Sequence, residues 1–145
     1  MTLNQIISRI QIAAESHKQV NKFVCGENAM AQENVEYYPL IWLVPNGFDF
    51  DNKNKNVTYQ FLLMILDRHF ESQSNLIEVL SDTALILQDI LTILNRNSYE
   101  ENVEFITTGK AEPFIDAKTD VVAGYGIDLS VTIPYLDSYC DIPLN

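Results

Sequence analysis

The side chains with chemistry to offer are two histidines, His17 and His69, two cysteines, Cys25 and Cys140, and a scatter of aspartates. A metal-binding pair of histidines sits at short helical spacing, as in H-E-x-x-H, and His17 and His69 are far apart with no such neighbours. They read as a helix-end histidine and a histidine just after a strand. Two cysteines cannot build an all-cysteine zinc site, which takes four thiolates, nor a disulfide-rich scaffold. Cys25 and Cys140 read as small apolar filler or exposed thiols. The pair Asp49-x-Asp51 sits in an Asn-rich stretch that invites comparison with a calcium loop. An EF-hand needs Gly at its sixth position and Glu at its twelfth, and here those positions hold Asn54 and Gln60. A solvated turn is the better reading.

Asp67, Asp82 and Asp89 form a carboxylate set on paper. Asp82 and Asp89 lie two turns apart on one expected helix and share a face. A hydrolase reading would need all of them to converge on one open cleft with a divalent metal. A structural role, such as a kink or a restart at Ser81-Asp82-Thr83, is the alternative. There is no G-x-G-x-x-G, phosphate loop or G-x-S-x-G elbow. The residues therefore point to no catalytic group, no cofactor and no metal.

The elements that would hold these groups follow from periodicity. Residues 3–20 read as an amphipathic helix, with Leu3, Ile6, Ile7, Ile10, Ala13 and Ala14 on one face and a Thr2/Gln5 capping box. Residues 23–25 suggest a short strand, and the polar stretch up to residue 36 a loop. Residues 37–44 read as a strand with Pro39 at its start or on an edge. Residues 46–56 are rich in turn formers and read as a long projecting hairpin loop. Residues 57–67 read as the returning strand, whose run Phe61-Leu62-Leu63-Met64-Ile65-Leu66 is apolar on both faces and asks for cover on both. Residues 75–95 form the clearest helix, with the stripe Leu76, Leu80, Ala84, Leu87, Leu91, Leu94. Two strands follow, 103–108 and 121–133, joined by a connection at 110–120. The last strand alternates strictly from Ile127, and Gly124 and Gly126 suggest a bulge or a close backbone approach. Residues 134–145 read as an extended acidic tail.

Paired strands with helices between them make an α+β domain: an antiparallel sheet of about four strands, with helices packed mainly on one face. At 145 residues, 47% of them hydrophobic, the chain suits a single domain spanning 1–145. Its formal net charge is −11, with nine Lys+Arg against twenty Asp+Glu. That argues against a nucleic-acid grip and against docking on an anionic membrane. No signal peptide or membrane span is apparent, which suggests an intracellular chain with reduced thiols.

One resemblance gathers these segments. Tyr38-Pro39-Leu40-Ile41-Trp42-Leu43-Val44-Pro45 is followed by Tyr59-Gln60-Phe61 and Leu66-Asp67-Arg68. Next come Glu78-Val79-Leu80-Ser81-Asp82-Thr83 and Ile86-Leu87-Gln88-Asp89-Ile90-Leu91. Glu112-Pro113-Phe114, Asp120-Val121-Val122-Ala123-Gly124-Tyr125 and Cys140-Asp141-Ile142-Pro143 complete the set. Together they resemble small virion proteins of tailed phages that infect Bacteroides-like bacteria, the crAss-like group included. In layout and size the chain is also similar to tail terminator and tail-completion proteins. The resemblance implies a structural virion protein made in the host cytoplasm, with no enzyme activity. It would form a ring of roughly six or twelve copies at the head–tail junction or tail end. Its partners would be other copies of itself and neighbouring neck or tail proteins, with DNA passing through unheld. An acidic ring suits that passage, because it repels phosphate. Candidate assembly contacts are Phe48, Asp49, Phe50, Asp51, Lys53 and Lys55 in the projecting loop, with Tyr139 and Cys140 in the tail. The competing reading is an acidic cytosolic adaptor or assembly chaperone that binds a basic partner reversibly.

Overall fold

The computed structural model describes residues 1–26, 37–69, 72, 74–96, 102–107, 109–116, 122–135 and 139–144. Helix α1 covers Leu3–Ser16 and opens with the expected capping box: Thr2 N–H donates to Gln5 Oε1 (2.8 Å) and Gln5 N–H to Thr2 Oγ1 (3.3 Å). It ends four residues earlier than periodicity suggests, because His17 takes an extended backbone conformation (φ −79°, ψ 125°). Ile6, Ile10, Ala13 and Ala14 are its buried face.

The strands are β1 (Lys22–Cys25), β2 (Leu40–Asp51), β3 (Asn56–Arg68), β4 (Glu104–Thr107), β5 (Glu112–Asp116) and β6 (Val122–Pro134). Helix α2, Leu76–Asn95, lies between β3 and β4. The sheet order is β1-β2-β3-β6-β4, with β5 also paired to β6. This corrects the expected antiparallel sheet of about four strands: among the described residues the sheet has six strands and is mixed. β1 runs parallel to β2, in the register Lys22↔Leu40 to Cys25↔Leu43. Parallel neighbours need a crossover of about a dozen residues or more, and residues 26–39 supply that length. Residues 27–36, expected as loop, lie outside the described residues.

The second addition is β5, within the stretch expected to be a connection. β4 and β5 pair with the same edge of β6 in succession, Thr107↔Leu129 and then Glu112↔Gly126. They act as one edge strand in two pieces. Pro113 sits in β5 opposite Tyr125, a position tolerated because an edge strand leaves one row of backbone groups unpaired. β3 and β6 pair along their whole lengths, from Asn56↔Pro134 to Arg68↔Val122, and form the centre of the sheet.

Both helices pack on one face. Ile6 and Ile10 of α1 and Ile86, Leu87 and Ile90 of α2 meet Ile41, Leu43, Phe61, Leu63, Ile65, Leu129 and Val131. The two-sided run in β3 is covered on both faces, as its composition requires. Leu66 and Met64 turn away from the helices into a second cluster with Tyr38, Leu40 and Val122, edged by Trp42, Leu62 and Phe114. Trp42 Nε1 donates to the Gly26 carbonyl beside it. The Tyr38-Pro39 peptide bond is cis.

Candidate assembly surface

The stretch 46–56 is mostly strand, not loop. β2 continues to Asp51 and β3 begins at Asn56, so only residues 52–55 turn. Asp51 closes that turn. Its Oδ1 accepts from the backbone N–H groups of Lys53 (3.1 Å) and Asn54 (3.0 Å), and its Oδ2 accepts from Asn54 Nδ2 (2.8 Å). The Asn54 bonds come first in holding the Asp51 carboxyl below its ordinary pKa, with the Lys53 N–H adding to them. Lys55 takes a left-handed conformation (φ 57°) at the end of the turn.

A bulge between Pro45 and Phe48 decides what the hairpin displays. Pro45 pairs with Phe61 and Phe48 with Tyr59, so β2 spends one residue more than β3 across this interval. Gly47 supplies the left-handed backbone such a bulge needs, with φ +95°. The extra residue inverts the alternation. Ile41 and Leu43 face the helices before the bulge, and Phe48 and Phe50 take that face after it. Without the insertion both phenylalanines would point to the opposite side.

Beyond the helices these rings are uncovered. Phe48 is 52% exposed and Phe50 59%. Phe48 meets Phe50 edge-on at 5.2 Å and Tyr59 at 5.4 Å, and Phe50 meets Tyr135 edge-on at 5.6 Å. Tyr135 is held there by its N–H, which donates to the Lys55 carbonyl (2.7 Å). The opposite face of the same hairpin is polar. Asp49 Oδ2 accepts from Gln60 Nε2 (3.2 Å), Gln60 Oε1 accepts from Ser130 Oγ (2.7 Å), and Thr58 and Thr132 hydroxyls bond at 2.9 Å.

The sequence-expected contacts thus divide. Phe48 and Phe50 make an aromatic patch, joined by Tyr59 and Tyr135, which the sequence reading passed over. Asp49 faces the other way, and Asp51, Lys53 and Lys55 build the tip. Tyr139 and Cys140 belong to a short 3-10 helix, Tyr139–Asp141, where the Cys140 thiol is exposed. The signal for Tyr59 was its place opposite the aromatic end of β2. Tyr135 lies after Pro134 and carries no periodic signal. A groove of about 640 Å³ opens beside the turn end of the hairpin, lined by Asn56, Asn102, Val103, Glu104, Thr132, Ile133 and Pro134.

The edges of the sheet are less inviting than this face. Among the described residues the outer edge of β2 has no strand beside it past Leu43, opposite the end of β1. It is broken by Pro45 and the bulge and carries Asp49 and Asp51, devices that discourage strand addition.

The three carboxylates weighed as a hydrolytic set do not gather into one group: Asp67 feels the charge of Asp82, while Asp89 is engaged elsewhere. Asp89 pairs with His17 Nε2 at 2.9 Å, tying the end of α1 to the middle of α2. Burial pushes the half-buried Asp67 carboxyl up, its bond from Arg68 N–H (2.8 Å) pulls it back, and the charge of Asp82 raises it further. His69 is buried, at 5% exposure. Among the described residues no group of three or more His, Cys, Asp or Glu side chains could hold a metal ion. Also among the described residues, no helix is long and apolar enough to cross a membrane. Compared with known protein families and with curated protein sequences, the chain matches none.

Proposed function

We propose that this chain is a structural subunit of a ring at the head–tail junction or tail end of a tailed phage, the role its resemblance implies. The observation that carries the reading is the aromatic patch. Two phenylalanines more than half exposed, on a hairpin that outruns its helices, are a contact surface awaiting a partner. The bulge turns both rings to the helix-bearing face at a point the helices do not cover.

Magnitudes say how such a contact works. Burying the exposed halves of Phe48 and Phe50 is worth roughly 5 kcal/mol gross, at ~25 cal/mol per Å² and ~200 Å² per ring. Association costs roughly 4–15 kcal/mol, so the rings anchor an interface and cannot be all of it. The adjoining groove, Tyr59 and the tip lysines extend it. A closed ring helps further, since each copy is held at two junctions. The charge of −11 per copy opposes assembly at low salt and keeps the lumen unattractive to DNA phosphate.

Light scattering after size exclusion, across protein concentration and at low and high salt, tests the reading. A discrete ring-sized species, favoured by salt and lost in Phe48→Ser/Phe50→Ser with its thermal transition kept, is the expected result. A monomer at every concentration that instead binds a basic partner reversibly would replace the ring with the adaptor.

A further inference from the structure

We propose that Asn46-Gly47 is a site of spontaneous backbone modification, at which the hairpin converts its own asparagine to aspartate and isoaspartate and so re-phases the aromatic patch. It is the one asparagine in the chain followed by glycine. The chemistry needs the peptide nitrogen of the following residue to reach the Asn side-chain carbonyl, and a Cβ on that residue obstructs the approach.

The structure leaves this path open. Asn46 and Gly47 are both exposed, and neither has a register partner in β3. Nothing lies within 4 Å of where a Cβ of Gly47 would stand. β1 ends at Cys25, opposite Leu43, and among the described residues no strand clamps the outer side of the bulge. Among the described residues the Asn46 side-chain amide has no hydrogen-bond partner. Other asparagines are anchored: Asn21 Nδ2 donates to the Tyr38 carbonyl (2.6 Å), Asn54 Nδ2 to Asp51 (2.8 Å) and Asn95 Nδ2 to the Leu91 carbonyl (3.0 Å).

The step balances without a redox partner. The Gly47 nitrogen forms a bond to Asn46 Cγ while the Cγ–Nδ2 bond breaks, and the side-chain nitrogen leaves as ammonia, carrying away the proton from the Gly47 amide. The resulting cyclic imide takes up one water. Opening at Cγ returns the normal chain with an aspartate. Opening at the backbone carbonyl routes the main chain through Cβ and Cγ, giving isoaspartate with one more atom in the backbone. That atom falls in the bulge that places Phe48 and Phe50 on the face of Tyr59 and Tyr135. The phase of β2 beyond it is lost, and a new carboxylate stands beside the patch. This inference does not depend on the ring reading.

The test incubates the full, folded chain in mildly alkaline buffer made with heavy-oxygen water, then maps peptides by mass spectrometry. The expected result is heavy-oxygen incorporation at residue 46, as both aspartate and isoaspartate. The rate should be at least about tenfold that at Asn4 or Asn54, a barrier difference of about 1.4 kcal/mol. Isoaspartate-bearing chains should show a weakened near-ultraviolet circular dichroism signal from the aromatic cluster. Asn46→Ser should keep that signal on ageing. Freshly prepared Asn46→Asp, which adds the charge and no backbone atom, should show the full signal as well, before its own slower closure to the same imide. If residue 46 stays intact in the folded chain while the same chain in denaturant converts, the bulge protects the asparagine and the proposal falls. If isoaspartate forms and the aromatic signal does not change, the re-phasing falls.

Discussion

Replacing Gly124 by alanine should be among the most damaging single-methyl additions available in this chain. Gly124 stands opposite Leu66 in the central β3–β6 ladder. A Cβ placed on it would lie 1.7 Å from the Ile65 carbonyl oxygen, 2.8 Å from the Ile65 carbonyl carbon and 3.0 Å from Leu66 Cα. All three are backbone atoms, so no rotamer change relieves the overlap. A tolerable C···O contact is about 3.3 Å, so the strands must part by more than about 1 Å. Parting them sacrifices roughly two to four ladder hydrogen bonds at about 1 kcal/mol each. It also shifts Ile65, Leu66 and Val122, all fully buried, out of two packed clusters. Overpacking of that kind costs about 1–3 kcal/mol. The unfolded-state entropy gain from Gly→Ala returns only about 0.4–1 kcal/mol. The net loss is about 4 kcal/mol, or a fall of roughly 8–16 °C in Tm for a chain of this size. Gly126→Ala is the internal control. Its Cβ would first meet Met64 Cγ at 3.4 Å and Leu62 Cδ1 at 3.7 Å, ordinary contacts with flexible side chains. That variant should stay within about 1 kcal/mol of the parent. Urea and thermal unfolding followed by circular dichroism measure both. A Gly124→Ala chain as stable as Gly126→Ala would refute the close approach and the register that creates it.

Three further outcomes are expected. Leu87→Asp places an unpaired carboxylate on the buried stripe of α2, where Leu87 is 5% exposed, and should cost about 4 kcal/mol or more; retention of the parent thermal transition would refute the placement of that face. Asp67 has a raised pKa in the folded state, so the fold holds its proton more tightly than the unfolded chain does, and stability falls as pH rises from the ordinary carboxylate pKa through the folded one. Asp67→Asn, whose amide oxygen can still accept from Arg68 N–H, should therefore raise Tm at neutral pH and leave it unchanged in acid, where Asp67 is protonated in both states. Asp51 has the opposite sign: its pKa is lowered, so its contribution is present above the unfolded pKa and lost as pH falls through the folded one. Protection of the Lys53 and Asn54 amides, taken against the intrinsic exchange rate at each pH, should fall over that acid range, and Asp51→Ala should show little protection at neutral pH; strong protection in that variant would mean that the turn holds without its carboxylate.

Several features were legible in the residues because they depend on neighbours a few positions away. The capping box at Thr2 and Gln5, the two-sided run at 61–66 and the alternation from Ile127 to Ile133 are local patterns, and each took the form its spacing demands. The stripe expected on α2 is offset: the buried face is Val79, Thr83, Ile86, Leu87, Ile90 and Leu94, and Leu76, Leu80, Ala84 and Leu91 are only partly covered. The paired apolar runs around residues 46–56 likewise announced a hairpin. Gly124 and Gly126 announced a bulge or a close backbone approach, and only Gly124 meets backbone.

Tertiary structure alone decided the rest. β1 has four residues, too few for a period, and its parallel pairing with β2 depends on a crossover that no local pattern encodes. β5 carries Pro113 beside Glu112 and is a strand only because β6 leaves an edge for it. The stretch 46–56 reads as loop by composition, yet β3 offers a ladder as far as Asn56 and β2 follows it to Asp51. The candidate surface shows the division most clearly. The sequence holds Phe48 and Phe50, two residues apart and so on one face of any strand. Which face that is depends on a bulge at Gly47, and what they touch depends on Tyr59 across the hairpin and Tyr135 beyond the end of β6. A period is a property of one segment, whereas phase between segments is set only when backbone groups pair across the fold.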